Sequence, residues 1–177
     1  MKKIALAAAL LLPVAAFAAG GDEWTPPKPS ETTKTCKGKE VWDETKKRCV
    51  RPKQSSLNQQ ELMQAVRELA YAGRNADAQE VLAAVPDQND PLALTYWGFT
   101  YRKLGQPELS LQFYQRAIAQ DPNHLLARSY MGQGFVEQGQ FGLALAQWKE
   151  IRARGGTGSW PEVSLRQALE TGTTRSY

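Results

Sequence analysis

The sequence has few of the side chains that bind metal ions or act as general bases. It contains a single histidine, His124, and only two cysteines, Cys36 and Cys49. A closed zinc site needs four ligands, mostly cysteine and histidine, so these residues are too few to form one. His124 lies in "DPNHLLA", just before a predicted helix, where a lone histidine is more typical of a helix start than of a catalytic base. We therefore expect a protein that is not an enzyme and that has no catalytic residue, metal ion or cofactor.

Long apolar runs are also missing, except at the start of the chain. Residues 1–18, "MKKIALAAALLLPVAAFA", combine a short basic start, an apolar run and an A-x-A site, which is the order found in a secretory signal peptide. The run is shorter than the roughly 20 residues needed to span a bilayer, and Pro13 interrupts it. We expect cleavage between Ala18 and Ala19 and export to the bacterial periplasm, with no integral membrane segment in the mature chain.

The positive charge is concentrated in one part of the chain. Residues 28–53 contain 9 lysines and arginines against 4 aspartates and glutamates, whereas residues 54–177 contain 11 against 12. A nucleic-acid-binding domain would carry a basic face on its folded part. The near-neutral second part therefore argues against a nucleic-acid partner. Contact of the basic first part with anionic lipid or cell wall stays open.

Shifts in composition predict the domain organisation. Residues 19–35 are rich in proline, threonine and charge, and such a segment buries too little apolar surface to offset its ordering entropy, so we predict a disordered linker. A cysteine-containing segment follows at residues 36–50, and a second linker at residues 51–56. Apolar residues then recur at helical spacing over residues 57–171, which predicts a helical domain, and residues 172–177 form a tail.

The two cysteines close the stretch "CKGKEVWDETKKRC". In an oxidising compartment, with no histidine nearby, they predict a disulfide between Cys36 and Cys49. The segments "KEVWD" and "RCV" can form two short strands that turn through "ETKK", with Trp42 packed on the bridge. A lone hairpin is marginal in water, and closing a loop of this size stabilises by roughly 3 kcal/mol on the chain-entropy model. We therefore predict a small disulfide-closed hairpin at residues 36–50.

The helical part repeats itself at an offset of 34 residues, as Gly98 recurs at Gly132 and Gly105 at Gly139. Small side chains let paired helices approach, large ones fill the space beside them, and the second glycine of each copy permits the turn. The predicted packing residues are Trp97, Gly98, Tyr101, Gly105, Ser110, Tyr114, Ala117, Pro122, Gly132, Phe135, Gly139, Ala144 and Trp148.

This pattern, from Leu94 to Pro122 and again from Met131 to Ile151, resembles the tetratricopeptide repeat. A shorter and divergent first copy aligns on Gly73. The resemblance implies an all-α fold, a right-handed α-α solenoid of about three helix pairs plus a C-terminal capping helix, over residues 57–171.

Sequence signals also predict where the domain begins and ends. Ser56 and Gln59 have the spacing of a capping box, which would start the first helix. Residues 161–170 place apolar side chains among polar ones after "GGTGS", which predicts a last helix that covers the third repeat.

The resemblance implies a concave groove, lined by the first helix of each pair, in which a peptide or protein partner lies. The predicted groove residues are Met63, Arg67, Thr95, Tyr96, Phe99, Arg102, Ser129, Tyr130 and Gln133. This mixed apolar and cationic set suits an extended peptide with acidic groups. The family's clamp for a terminal carboxylate needs lysine and asparagine at positions that hold other residues here, so we do not expect that activity. The implied function is a non-enzymatic periplasmic adaptor or scaffold in the cell envelope, and a homodimer is a further prospect.

A second function class stays open beside this one. The hairpin between Cys36 and Cys49 has a faint likeness to short cysteine-rich sugar-binding modules, and Trp42 would be its sugar-stacking residue. The alternative is therefore a binder of cell-envelope polysaccharide. The sequence leaves open whether the hairpin is a structural staple or a binding module.

Overall fold

The computed structural model describes residues 28–174, so the predicted signal peptide and most of the first predicted linker lie outside the described residues. This part of the chain contains eight α-helices and one two-stranded antiparallel sheet. In chain order the elements are α1 (Glu31–Lys34), β1 (Val41–Asp43), β2 (Arg48–Val50), a 3-10 helix (Pro52–Gln54), α2 (Gln59–Tyr71), α3 (Asn75–Leu82), α4 (Pro91–Lys103), α5 (Pro107–Gln120), α6 (Leu125–Glu137), α7 (Phe141–Ala153) and α8 (Trp160–Thr171). None of these helices is long and apolar enough to cross a membrane.

Helices α2 to α7 form three consecutive packed pairs, α2 with α3, α4 with α5 and α6 with α7. The turn inside each pair is built on a glycine, and Gly73, Gly105 and Gly139 have φ angles of 76°, 75° and 72°. A side chain is strained in this left-handed region, so glycine allows the chain to leave one helix and enter the next within a few residues. The prediction of three helix pairs, including the divergent first one, is confirmed.

Two further glycines lie where helices approach most closely. A Cβ atom added at Gly98 would come within 2.5 Å of the ring of Tyr114, so α4 and α5 pack as predicted. At Gly132, a Cβ atom would instead come within 2.5 Å of Leu165 on α8. The sequence offset assigns this space to Trp148. Leu165 of α8 occupies it instead.

The hydrophobic core of the helices consists of one large cluster and two smaller ones. Its main cluster joins buried residues from α2 to α6 and also includes Val41 of β1, which is 2% exposed. The largest fully buried side chains are Tyr96, Tyr114, Tyr130, Phe99, Leu62, Leu69, Leu82, Leu94, Ile151, Leu165, Gln133 and Val66. The hairpin thus shares a core with the helical domain.

The predicted hairpin and its disulfide are confirmed. Cys36 and Cys49 are bonded with their Cα atoms 5.6 Å apart, and Trp42 pairs with Cys49 across the two strands. Arg74, at the start of α3, donates hydrogen bonds to the backbone oxygens of Cys36 at 3.2 Å and Gly38 at 2.6 Å. These contacts fasten the hairpin to the first helix pair, so it covers that end of the helical stack.

Residues 30–35 differ from the predicted disordered linker, because they form a helical turn that is bound to α2. The carboxylate of Glu68, on α2, accepts hydrogen bonds from the amide and hydroxyl of Ser30, both at 2.6 Å. It also accepts bonds from the amide of Thr33 at 3.2 Å and from its hydroxyl at 2.5 Å. One buried acceptor thus supplies the order that the composition of the segment does not indicate.

The boundaries of the domain also shift. Within the second predicted linker, residues 51–56, Pro52 is buried and begins the 3-10 helix. The capping box of α2 is formed by Asn58 and Glu61, each of which accepts a hydrogen bond from the backbone amide of the other. The predicted box at Ser56 is therefore wrong by two residues. The last helix starts at Trp160, one residue before the predicted range.

Candidate partner-binding surface

The first helix of each pair and α8 lie side by side in the order α2, α4, α6, α8, and we call these four the inner helices. Helices α3, α5 and α7 pack against them as their partners within the pairs. Asp90 caps the start of α4, because its carboxylate accepts hydrogen bonds from the backbone amides of Leu92 at 2.9 Å and Ala93 at 3.0 Å. Pro91 lies in the first turn of the helix. This cap fixes the side chains of α4 in the middle of the inner layer.

Each inner helix contributes one aromatic side chain to a continuous row. The ring centroids of Tyr71 and Phe99 are 6.0 Å apart and stacked, those of Phe99 and Tyr130 are 4.9 Å apart, and those of Tyr130 and Trp160 are 6.1 Å apart. The hydroxyl oxygens of Tyr71 and Tyr130 are 2.6 Å apart. We call these four residues the aromatic row. It links the three helix pairs and the last helix through one set of contacts.

Two cations from the end of α4 lie over the aromatic row. The guanidinium carbon of Arg102 is 5.5 Å from the ring centroid of Phe99 and 5.9 Å from that of Tyr130. The ammonium of Lys103 is 5.8 Å from the Phe99 ring. Burial lowers the pKa of Lys103, and the neighbouring charge of Arg102 lowers it further. An acidic group brought to this place would act in the opposite direction, because an opposite charge favours the charged form of Lys103.

The structure gives most of the predicted groove residues a packing role. Of the nine, all but Arg67 are buried, namely Met63, Thr95, Tyr96, Phe99, Arg102, Ser129, Tyr130 and Gln133. Arg67 is half-buried on α2. Direct contact between these side chains and a partner stays a prediction.

Some of these residues join inner helices to each other. The hydroxyl of Ser129 donates to the backbone oxygen of Pro161 at 2.8 Å. The amide of Gln133 donates to the hydroxyls of Ser129 at 3.3 Å and Ser164 at 3.2 Å. These buried polar contacts attach α8 to α6. The hydroxyl of Thr95 bonds within its own helix, to the backbone oxygen of Pro91 at 2.7 Å.

Sequence reasoning missed three residues of this surface, Tyr71, Lys103 and Trp160. Tyr71 follows Arg67 by four residues and Lys103 follows Phe99 by four, and this spacing places each pair on one helix face. That signal was present in the sequence. Trp160 lies one residue outside the predicted last helix, so the predicted pattern did not include it.

The aromatic residue of the hairpin lies in a different setting. Trp42 is half-buried, and its backbone amide donates to the hydroxyl of Thr32 at 3.2 Å. None of the aromatic ring pairs within residues 28–174 includes Trp42. Sugar stacking by Trp42 stays a prediction.

His124 lies at the start of α6, with Nδ1 3.7 Å from the carboxylate of Asp121. Burial lowers the pKa of His124, while the charge of Asp121 acts in the opposite direction. The neutral form is therefore favoured at neutral pH. Between residues 28 and 174, no group of three or more histidine, cysteine, aspartate or glutamate residues could hold a metal ion.

One comparison with known proteins finds a match. A family model described as a tetratricopeptide repeat matches residues 91–124, which hold α4, α5 and the turn between them. No curated protein and no solved structure matches the chain. Repeats that stack in this way form extended concave surfaces for binding other molecules.

Proposed function

We propose that this chain, whose residues 91–124 match a tetratricopeptide repeat, is a non-enzymatic scaffold that binds a protein partner in the bacterial periplasm. The inner helices would provide the binding surface. The partner segment would be extended and would carry at least one acidic side chain. The aromatic row and the cations above it are the main support for this proposal.

The chemistry of this surface favours such a segment. Arg67, Arg102 and Lys103 bring three positive charges to α2 and α4, and Tyr71 and Trp160 add half-buried aromatic surface at the two ends of the aromatic row. Arginine and aromatic residues dominate the energetics of protein interfaces, because they combine apolar area with directed polar groups. The only acidic side chain in a salt bridge with Arg102 in residues 28–174 is that of Glu137. An acidic partner therefore gains electrostatic attraction as well as apolar contact.

The proposed location rests on two features of the sequence. Residues 1–18 have the form of a signal peptide, and the disulfide between Cys36 and Cys49 is of a kind that persists in oxidising compartments. Fractionation of cells that produce the chain, with mass spectrometry of its amino terminus, tests this part. Periplasmic protein that begins at Ala19 is the expected result, and an intact amino terminus in the cytoplasmic fraction would contradict it.

Photo-crosslinking tests the binding surface. Phe99 and Arg102 are poor probe positions because they are buried, at 0% and 7% exposure. A photoreactive residue is better placed at Arg67 or Lys103, which are half-buried, with exposed Gln112 on α5 as the control. We expect a discrete protein adduct from the inner helices and none from α5. Equal capture at all three positions, or an adduct only from Gln112, would place the partner elsewhere.

Charge reversal then tests the recognition chemistry with the purified partner. Lys103→Glu should weaken binding about fivefold, about 1 kcal/mol, and the loss should diminish at high salt. Lys149→Glu is the matched control, because Lys149 is exposed on α7 and the change of charge is the same. Circular dichroism must show that both variants remain helical. Equal weakening by the two variants would mean that only net charge matters. In the crosslinking experiment, an adduct with a second copy of the chain would identify a homodimer.

A further inference from the structure

A cavity of about 310 Å³ lies between the start of α5 and the end of α6, next to the turns of the second and third helix pairs. Its apolar lining includes Leu111, Met131 and Phe135. Arg102, Tyr114 and Glu137 contribute polar groups to the same wall. This volume is at the lower end of the range for small-molecule sites, which are mostly apolar with a few convergent polar groups.

The hydrogen-bonding capacity of Arg102 is only partly used. Its side chain is 3% exposed, and its Nη1 lies 3.3 Å from Oε1 of Glu137. Within residues 28–174, Nε and Nη2 of Arg102 and the hydroxyl of Tyr114 are buried without a hydrogen-bond partner. Buried polar groups are nearly always paired, and an unpaired one often indicates a missing water, ion or ligand. The wall of the cavity therefore has donor capacity on Arg102 that is not used.

The existing ion pair is easily exchanged. The side chain of Glu137 is 34% exposed, and it contacts Arg102 through one long bond rather than the two parallel bonds that a guanidinium can form with a carboxylate. The hydroxyl of Thr174 also donates to the same oxygen of Glu137. Glu137 can therefore turn outward and be solvated, but the buried guanidinium of Arg102 then needs another carboxylate in its place, because an unpaired buried charge is costly.

We propose that this cavity binds a small carboxylate with an apolar body. Its carboxylate replaces Glu137 at the guanidinium of Arg102, and its body lies against Leu111, Met131 and Phe135. The guanidinium turns from Glu137 toward the cavity as the two acids exchange, which brings its unpaired nitrogens to the ligand. The acid comes either from a free metabolite or from the side chain of a bound protein.

Titrations of the purified chain followed by two-dimensional NMR test this proposal. The probes are 3-phenylpropionate, its neutral amide 3-phenylpropanamide, and a blocked peptide with one glutamate between leucines. We expect saturable shifts at Leu111 and Phe135 with an acid and none with the amide. A response to 3-phenylpropionate alone indicates a free ligand, and a response to the peptide indicates a protein-borne one. No saturable shift with either acid, or equal binding of the amide, would overturn the proposal.

Two variants test the exchange of carboxylates directly. Glu137→Gln removes the competing charge and should tighten binding of the acid at least threefold. Arg102→Lys keeps the positive charge but removes the planar fork, and should weaken binding at least tenfold. Glu108→Gln is the matched control, because Glu108 is exposed in the first turn of α5 and does not line the cavity. Unchanged or weaker binding in Glu137→Gln would show that no exchange occurs, independently of whether a protein partner is ever found.

Discussion

The carboxylate of Glu68 anchors residues 30–35 to α2, so its removal should release that segment. Glu68 is 8% exposed, and four donors from Ser30 and Thr33 end on it. In Glu68→Ala these donors lose their shared acceptor. We expect residues 30–35 to detach locally, while the helix pairs stay folded and the hairpin stays bound through Arg74 and Val41.

The magnitude follows from the charged acceptor. A hydrogen bond to a charged group contributes about 1.5–3 kcal/mol. The four bonds share one carboxylate, so their contributions are not additive, and the released donors regain water. We therefore expect the docking free energy to fall by about 3 kcal/mol. At about 1.4 kcal/mol for each factor of ten, the detached population increases roughly 150-fold.

Amide hydrogen exchange measures this population. The amides of Thr35 and Cys36 both donate to the backbone oxygen of Glu31, at 2.9 and 3.2 Å, and report on the helical turn α1. Their exchange should accelerate roughly in proportion to the detached population, whereas exchange in α5 should not change.

A second carboxylate at the same interface provides the control. Glu80 accepts a bond from Lys39 at 2.9 Å, but both side chains are more than half exposed, so Glu80→Gln should leave the exchange rates nearly unchanged. If Thr35 and Cys36 exchange at the original rate in Glu68→Ala, the segment is held by other contacts and the reasoning from Glu68 is refuted.

Three further perturbations have defined outcomes. Reduction of the disulfide, which spans 13 residues, should destabilise the hairpin by roughly 3 kcal/mol. Amide hydrogen exchange should increase in residues 36–49, while the helical circular dichroism signal should persist. Loss of that helical signal would contradict the prediction. Gly98→Ala should lower the free energy of unfolding by about 1–3 kcal/mol, because its Cβ atom would overlap Tyr114. Gly142→Ala is the control, since a Cβ atom there meets open space and should not destabilise the protein. Urea titration measures both free energies of unfolding, and equal effects would refute the packing explanation. Burial raises the pKa of Tyr114 to about 12. Because the phenol of the unfolded chain ionises near pH 10, the stability that Tyr114 contributes is present below pH 10 and is lost as the pH rises toward 12. Urea titrations at several pH values should show this loss of stability in the original chain and a smaller loss in Tyr114→Phe.

The helix pairs could be predicted because their signals are local. Gly98 and Tyr114 are separated by 16 positions within one repeat, and the same spacing recurs between Gly132 and Trp148. Even so, Leu165 takes the place beside Gly132, since the contact there depends on which element follows the last pair. The 34-residue offset therefore predicts the contacts within a helix pair better than the contacts at the end of the last pair.

Contacts between distant segments explain the other differences. Ser30 and Glu68 are 38 residues apart, and nothing in the composition of either segment indicates that they meet. The predicted groove residues do lie on the inner helices, as the repeat pattern implies. Their exposure depends on how closely neighbouring inner helices approach, and the 4.9 Å contact between Phe99 and Tyr130 closes that space. Spacing along one helix holds no information on that distance.

The coverings at the two ends of the stack have a consequence for how this architecture could change in length. The hairpin and α1 cover the first helix pair, and α8 covers the third. Growth by addition at a terminus would place a new pair against a surface that is already occupied, so duplication of a pair could be tolerated only between the two coverings. For the same reason, copies joined end to end would first have to displace a covering. A chain that loses either covering should therefore be prone to form linear polymers.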